Sequence, residues 1–160
     1  MKLFATTLLF ALCATLSSYA SASDAGPWEL TLNGGANMFT DGSGASQGQF
    51  GAAVTYALIP ELSAGVEYST GGNFSQVAAE LNYNYMPGAF IGLQGGPVNY
   101  NSLTGIGWGP QVGYDFELGS GYFAGPELQY QVLSWSSGTT AGQSSSSSSV
   151  KALATFGCRF

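Results

Sequence analysis

Hydrophobic and polar residues alternate along most of the chain, with short breaks rich in glycine, proline and asparagine. Successive side chains of a β-strand point to opposite faces, so this alternation predicts strands rather than helices. We identify eight such runs, the fifth of which begins at Ala89. The other seven are Trp28–Phe39, Gln49–Ile59, Leu62–Ser69, Phe74–Met86, Ile106–Leu118, Tyr122–Val132 and Val150–Phe160. The pattern predicts an all-β chain whose eight antiparallel strands run up and down and close into a barrel.

Glycine and proline recur inside the later strands in an unusual way. The pairs Gly96-Pro97, Gly109-Pro110 and Gly125-Pro126 fall within predicted strands. Proline has no N–H to donate to a neighbouring strand, so we expect β-bulges at these pairs. Six glycines are predicted to face inward on strands five to seven, leaving that wall without side chains: Gly92, Gly96, Gly107, Gly109, Gly113 and Gly125. They could curve the sheet or leave room for water, and we favour curvature.

Charged residues are few and lie on one face of the strands. Only 8% of the chain is charged, against about 25% in an ordinary soluble domain. Eight charged residues fall within predicted strands, each opposite the apolar stripe: Glu29, Glu67, Glu80, Asp115, Glu117, Glu127, Lys151 and Arg159. A soluble barrel of the lipocalin type would have the reverse arrangement, apolar inside and charged outside. Because a cation facing lipid near mid-membrane costs about 2–4 kcal/mol, the pattern predicts a transmembrane barrel with a polar lumen.

The beginning of the chain predicts export. Lys2 precedes an apolar run over residues 3–16, and Ala20-Ser21-Ala22 has the small residues of a cleavage site. The run is shorter than the about 20 residues of a membrane-spanning helix. We therefore predict a cleaved signal peptide at residues 1–22 and a single domain at residues 23–160. The only cysteine of that domain, Cys158, excludes an intramolecular disulfide and is expected on the outer face.

The last predicted strand ends on an aromatic residue. Phe156 and Phe160 share its apolar face, and Lys151 and Arg159 share the other. This ending resembles the carboxy-terminal assembly signal of bacterial outer-membrane β-barrels. Most of the chain resembles the small eight-stranded barrels related to the OmpA transmembrane domain and OmpX. The resemblance implies a monomer in the bacterial outer membrane with both termini in the periplasm. Its implied partners are outer-membrane lipid, lipopolysaccharide and, during biogenesis, the barrel-assembly machinery.

Composition excludes several other functions. Two cationic residues in the mature chain are too few for the phosphate contacts of a nucleic-acid-binding protein. The chain has no histidine, the usual general base of an enzyme nucleophile. It also lacks a Cys/His metal motif and a phosphate-binding glycine loop. We expect no enzymatic activity, no cofactor and no bound metal.

Ten aromatic residues are predicted to form two girdles at the membrane interfaces. The periplasmic girdle would contain Trp28, Tyr83, Tyr85, Phe90 and Phe116, and the outer girdle Phe39, Phe50, Tyr68, Trp108 and Trp135.

The lumen leaves three functions open. Glu67, Glu80 and Glu127 are expected near mid-height, Lys151 near the outer rim, and Arg159 beside Glu29 at the periplasmic end. A polar network that plugs the barrel would give it a structural role in the envelope. A narrow, cation-preferring pore through an acidic, glycine-lined lumen is the first alternative. The second is surface interaction through extracellular connections at residues 40–48 and 134–149, where six serines, residues 144–149, are expected to be flexible.

Overall fold

The computed structural model describes residues 26–42, 45–137 and 146–160. The predicted signal peptide, residues 1–22, lies outside these ranges. Nine strands occupy most of the described chain: β1 (Trp28–Phe39), β2 (Gln47–Ile59), β3 (Leu62–Gly71), β4 (Phe74–Met86), β5 (Ala89–Tyr100), β6 (Leu103–Tyr114), β7 (Phe116–Gly119), β8 (Tyr122–Ser137) and β9 (Ser146–Arg159). Within the described ranges, no helix is long and apolar enough to cross a membrane.

The strands form one closed antiparallel sheet in which β6 and β7 share a single position. The order is β6-β5-β4-β3-β2-β1-β9-β8-β7, and an additional pairing of β6 with β8 closes the barrel. Both β6 and β7 pair with β8 in one register, with Gly113 opposite Glu127 and Phe116 opposite Ala124. They are two parts of the sixth wall strand, separated at Asp115. The predicted eight-stranded antiparallel barrel is therefore confirmed.

The two ends of the barrel differ in their connections. We call the end that holds Trp28 and Phe160 the proximal end and the opposite one the distal end. Three short turns, at residues 60–61, 87–88 and 120–121, lie at the proximal end. The distal end carries two more short turns, at residues 72–73 and 101–102, and the two longer connections, from β1 to β2 and from β8 to β9. Ser120, with φ of 55°, and Asn101, with φ of 53°, adopt the left-handed conformation that tight turns require.

The outer surface of the wall is apolar, and the charged residues of the described strands face inward. Phe50 is 71% exposed, and many other outward side chains are similarly open: Leu58, Val66, Tyr68, Tyr83, Ile91, Leu93, Ile106, Trp108, Phe116, Leu118 and Leu128. Lys151 is fully buried, and the other seven charged strand residues line the lumen. A water-facing surface would reverse this polarity, so the wall suits contact with lipid.

The three Gly-Pro pairs lie in regular strands, so the predicted bulges are wrong. The register continues unchanged through Pro97, Pro110 and Pro126, although the pairing on one side of each proline is interrupted. At Gly96, a Cβ would collide with the carbonyl oxygen of Val77, the residue opposite Pro97. The glycines before the other two prolines have the same contact with the facing carbonyl. The same close approach of a facing carbonyl occurs at Gly35 and Gly105, which no proline follows, so it is explained by the absence of a glycine side chain rather than by the missing proline N–H.

The serine-rich segment is also more regular than its composition predicts. Residues 146–149 form the start of β9 and pair with the end of β8, where Ser149 lies opposite Gln131 and Ser147 opposite Leu133. The prediction that these serines are flexible is therefore wrong for four of the six. The other two, residues 144 and 145, lie outside the described part of the chain.

The terminal strand is fixed at the proximal end by backbone and aromatic contacts. The Phe160 N–H donates to the Trp28 carbonyl at 2.9 Å, and the Trp28 N–H donates to the Phe160 carbonyl at 3.2 Å. Cys158 is fully buried beside Leu30, and Phe160 packs against this pair. Recognition of Phe156 and Phe160 by an assembly machinery stays a prediction.

Candidate functional site

The lumen holds the polar chemistry of this chain because the inward positions of most strands are amides, hydroxyls or carboxylates. Eight inward amide side chains are buried: Asn33, Asn37, Gln49, Gln76, Gln94, Gln111, Gln129 and Gln131. Glutamine and asparagine both donate and accept hydrogen bonds, so they can connect strands across a narrow barrel. The result is a series of layers from the proximal to the distal end.

A cluster around one guanidinium group forms the proximal mouth. Arg159 Nε donates to Glu29 Oε2 at 2.9 Å, and Nη2 donates to Asp115 Oδ2 at 2.9 Å. Its third nitrogen, Nη1, binds Glu117 Oε1. The guanidinium also lies over the ring of Phe123, 4.4 Å from its centre. The predicted ion pair of Glu29 with Arg159 is present. The pairs with Asp115 and Glu117 were not predicted, because β8 separates the sixth wall strand from β9 and the stagger between those two strands cannot be read from the sequence.

Two glutamines connect the carboxylates deeper in the lumen. Gln129 Nε2 donates to Glu67 Oε2 at 3.1 Å and to Glu127 Oε1 at 2.8 Å. Gln111 Nε2 donates to Glu80 Oε2 at 3.3 Å. Sequence analysis named the carboxylates but missed both glutamines. The alternation places both glutamines on the inward face, but it does not say which side chain across the barrel each amide would contact.

Lys151 lies deeper than its predicted position at the outer rim. It is fully buried, and its ammonium donates to Gln76 Oε1 at 2.9 Å. The same ammonium lies 5.3 Å from the centre of the Phe74 ring. Within the described residues, neither cation lies within 4.0 Å of Glu67, Glu80 or Glu127.

Apolar side chains fill the distal part of the lumen. Four buried residues pack together and two half-buried aromatic residues cover them: Phe39, Phe74, Val98 and Leu133, with Tyr100 and Trp135. The rings of Phe39 and Tyr100 lie 4.9 Å apart, and Trp135 Nε1 donates to Ser147 Oγ at 3.0 Å. We call these six residues the distal cluster. The prediction that Phe39 and Trp135 belong to a lipid-facing girdle is wrong, because both share the inward face of their strands.

The glycine-rich wall is covered by large side chains of the neighbouring strands. A Cβ on Gly113 would collide with the ring of Phe90, and one on Gly107 would lie 2.8 Å from Leu133 Cδ2. The expectation that this wall is bare is therefore wrong, as is the assignment of Phe90 to a girdle. These glycines make room for inward side chains of other strands in a barrel with little interior space.

A cavity of about 540 Å³ occupies the proximal part of the lumen. Residues of two proximal turns, among them Pro60 and Pro87, line its mouth, and Glu67, Glu80 and Glu127 line its inner end. We call these three carboxylates the floor. Six carboxylates and one guanidinium line the cavity, whereas no residue of the distal cluster does. The cavity is thus an acidic recess that opens at the proximal end and stops at mid-height.

The arrangement of the carboxylates does not favour a metal site. Within the described ranges, no group of three or more His, Cys, Asp or Glu side chains is placed to hold a metal ion. A hard cation such as calcium needs six to eight oxygen ligands at about 2.3–2.6 Å. The lumen can instead attract positive charge and offer separated hydrogen-bond acceptors.

Comparison with known proteins identifies the fold. No family model and no curated protein sequence matches the chain. Among solved structures, Neisserial surface protein A is 13% identical with a TM-score of 0.67, and the match covers 86% of this chain and 100% of that one. A de novo designed transmembrane β-barrel is 14% identical with a TM-score of 0.51, covering 83% and 98% of the two chains. The chain has the fold of the small eight-stranded outer-membrane β-barrels, as its sequence predicts.

Proposed function

We propose that this protein is a monomeric, non-enzymatic barrel of the bacterial outer membrane that supports the envelope and is closed to ions. The distal cluster is the observation that carries this proposal. The proximal end would face the periplasm and the distal connections the exterior. Outer-membrane lipid, lipopolysaccharide and, during assembly, the barrel-assembly machinery would be its partners.

The outer wall supports residence in a membrane. Most of its exposed side chains are large and apolar, exposed polar ones such as Thr70 and Ser134 lie near the distal end, and the cationic side chains Lys151 and Arg159 lie inside. The strands contain 10–16 residues, apart from the divided sixth wall strand. A tilted strand needs about 9–11 residues to cross a bilayer. The wall is therefore tall enough to span one.

The distal cluster supports closure. Phe74 and Leu133 are 2% and 0% exposed, so little free space surrounds them. Below them, Gln76 accepts from both Lys151 and Gln131, the latter at 2.9 Å. An ion would have to displace an apolar layer and then a hydrogen-bonded one, and an eight-stranded barrel has little room for either to move aside. The acidic cavity favours the alternative, a cation-preferring pore, only if these layers open.

Conductance of the refolded mature chain in a planar bilayer under a potassium chloride gradient distinguishes the two functions. We expect no discrete current steps from the wild type. Phe74→Ala should produce steps because it removes a ring from the closed layer. Phe50→Ala is the matched control, because it removes a phenylalanine ring from the lipid-facing side of the wall. This variant should give no current steps.

Two results would contradict closure by the distal cluster. Wild-type steps with a cation-selective reversal potential would establish the pore, and replacing Glu67, Glu80 and Glu127 by glutamine should then abolish the selectivity. Silence from a folded Phe74→Ala variant would show that the distal cluster is not the barrier.

A further inference from the structure

We propose that the wall opens sideways along the lateral seam, the line on which β8 pairs with β6 and β7, and that Arg159 is the latch that holds the proximal part of this seam closed. Such an opening would join the proximal cavity to the lipid around the barrel. It is independent of the closed-barrel function, because it involves the wall and not the distal cluster.

The lateral seam is less regular than any other pairing of neighbouring strands in the described barrel. Its pairing is interrupted after Trp108, which lies opposite Val132, and again after Gly113, which lies opposite Glu127. The register also shifts near each end of the seam. Five of the other seven pairings are continuous, whereas β2 with β3 has one irregularity and β4 with β5 has two.

Two prolines account for the interruptions, one from each side of the seam. Pro110 of β6 keeps its pairing with Leu93 of β5, and Pro126 of β8 keeps its pairing with Ala154 of β9. Each proline nitrogen therefore faces the lateral seam, where it has no N–H to donate to the opposite carbonyl. Strands in lipid normally satisfy every backbone group among themselves, because no water is available there. The seam thus lacks two hydrogen bonds that a regular wall would contain.

The backbone pairing that remains on the proximal side of Pro110 is short. The N–H groups of alternate residues in a strand point to the same neighbour, so Val112 and Leu128, which are directly opposite, bond to each other between the two interruptions. Beyond Pro126, β7 contains only four residues, and its register shifts after Glu117. Backbone hydrogen bonds therefore hold this part of the wall together less firmly than the rest.

One side chain inside the barrel bridges the proximal part of the lateral seam. Arg159 extends from β9 across β8, where its guanidinium lies 4.4 Å from the centre of the Phe123 ring. It then reaches the sixth wall strand, where Nη2 donates to Asp115 Oδ2 at 2.9 Å and Nη1 binds Glu117. Arg159 thus connects three adjacent positions of the wall where the backbone pairing is poorest. These contacts would have to break before the strands could separate, so the guanidinium acts as a latch.

The proximal cavity lies directly behind this part of the wall. Side chains of both strands line it, among them Glu117 from the sixth wall strand and Glu127 from β8. On the outer face of the same strands, Phe116 and Leu128 are 57% and 52% exposed. Separation of the two strands would therefore give the cavity an opening towards lipid, in addition to its mouth at the proximal end.

Amide hydrogen exchange of the refolded mature chain in zwitterionic detergent micelles, followed by NMR, tests the opening. The amides of Val112 and Leu128 should have protection factors at least about tenfold lower than those of Val54 and Val66. Val54 and Val66 are the matched control, because they are directly opposite in an uninterrupted stretch of β2 and β3. All four side chains face outward and are 44–55% exposed. Equal protection of the two pairs would overturn the proposal.

A proline substitution tests the cause of the opening. Pro126→Ala supplies the missing N–H and should raise the protection of Val112 and Leu128 about tenfold, because one more hydrogen bond must break for the strands to separate. Pro97→Ala is the control, because it supplies an N–H to the pairing of β5 with β4, away from the seam, and should leave this protection unchanged. No gain from Pro126→Ala, or an equal gain from both substitutions, would contradict the proposed cause.

Replacing Arg159 by alanine tests the latch. The amides of Phe116 and Ala124, which are opposite across the lateral seam, should lose at least about tenfold more protection than those of Val54 and Val66. This comparison separates local opening from a general loss of stability, which lowers the protection of both pairs alike. A uniform decrease would show that Arg159 stabilises the whole barrel and is not a latch.

Discussion

Replacing Arg159 by alanine tests whether one guanidinium group organises the proximal mouth. Its side chain is 27% exposed, and its partners differ in exposure, at 24% for Glu29, 12% for Asp115 and 60% for Glu117. The substitution removes three ion pairs and the contact with the Phe123 ring. It also leaves three carboxylates close together without a counter-charge.

The expected loss follows from these exposures. The open pair with Glu117 contributes about 0–1 kcal/mol, as surface ion pairs do. Hydrogen bonds from a charged donor to the more shielded Glu29 and Asp115 contribute about 1.5–3 kcal/mol each. The ring contact adds about 0.5–1 kcal/mol. Because interactions of one side chain are not additive, we expect Arg159→Ala to lower the free energy of unfolding by about 2–4 kcal/mol.

Equilibrium urea unfolding in lipid vesicles, followed by tryptophan fluorescence, measures this loss. Because the protein is refolded in vitro, the measured change reports stability alone and not recognition of the terminal strand by an assembly machinery in the cell. Glu61→Gln, in an exposed turn, serves as the control and should change the free energy of unfolding by less than about 0.5 kcal/mol.

A second substitution separates ion pairing from loss of packing. In the Arg159→Ala background, Asp115 keeps its shielded position near two other carboxylates. Adding Asp115→Asn should then recover about 1 kcal/mol, because it removes repulsion. In the wild-type background the same change should destabilise, because it breaks an ion pair. A loss below about 0.5 kcal/mol for Arg159→Ala would refute the reasoning, and so would further destabilisation of the double variant.

Two other substitutions are measured by the same unfolding assay. Gly96→Ala should destabilise by about 1–3 kcal/mol because its Cβ would collide with the Val77 carbonyl. Gly48→Ala is the control, because the nearest atom to its Cβ would be 4.0 Å away, and it should change stability by less than about 0.5 kcal/mol. Equal effects of the two substitutions would contradict our account of the Gly-Pro pairs. Lys151→Met should change stability by no more than about 1 kcal/mol, because it removes a buried charge at similar volume and Gln76 keeps a second donor. A loss above about 2 kcal/mol would instead show that this ammonium stabilises the floor carboxylates without a direct ion pair.

The strands were largely predictable because alternation and turn residues agree. The bounds of β1 and β4 match the sequence prediction, while β2 and β3 extend two residues further at their distal ends. Those extra residues, such as Gln47 and Gly71, are polar or small and carry no apolar alternation. Pairing with neighbouring strands, rather than residue type, keeps them extended. The serines of β9 follow the same rule.

For two aromatic residues, the expectation of an interfacial girdle gave the wrong face, whereas the alternation of side chains along the strand gives the right one. Phe39 is two positions from Asn37, and Trp135 is two positions from Leu133, so strict alternation places each pair on one face. Membrane barrels commonly have aromatic girdles, and that expectation outweighed the parity of these positions. Parity was the better guide, since it follows from the strand itself.

Contacts across the lumen could not be predicted from the sequence. Gln129 reaches Glu67, which lies 62 positions away on a strand that is not its neighbour. Which inward residues meet depends on the stagger of all eight strands around the barrel. An error of one residue in that stagger changes every cross-lumen pair, so only the neighbouring-strand pair of Glu29 with Arg159 was within reach.

The two halves of the lumen differ in the side chains that line them. In the distal half, Phe74, Leu133 and their neighbours fill the space with apolar side chains. Apolar side chains could also fill the proximal half. Burying carboxylates there without a paired cation lowers the stability of the fold. The chain nevertheless places Glu67, Glu80 and Glu127 at the end of an open recess, and neither cation of the described residues lies within 4.0 Å of them. A barrel that served only to be filled would gain stability by replacing these carboxylates with apolar residues, so closure alone does not explain why they are present.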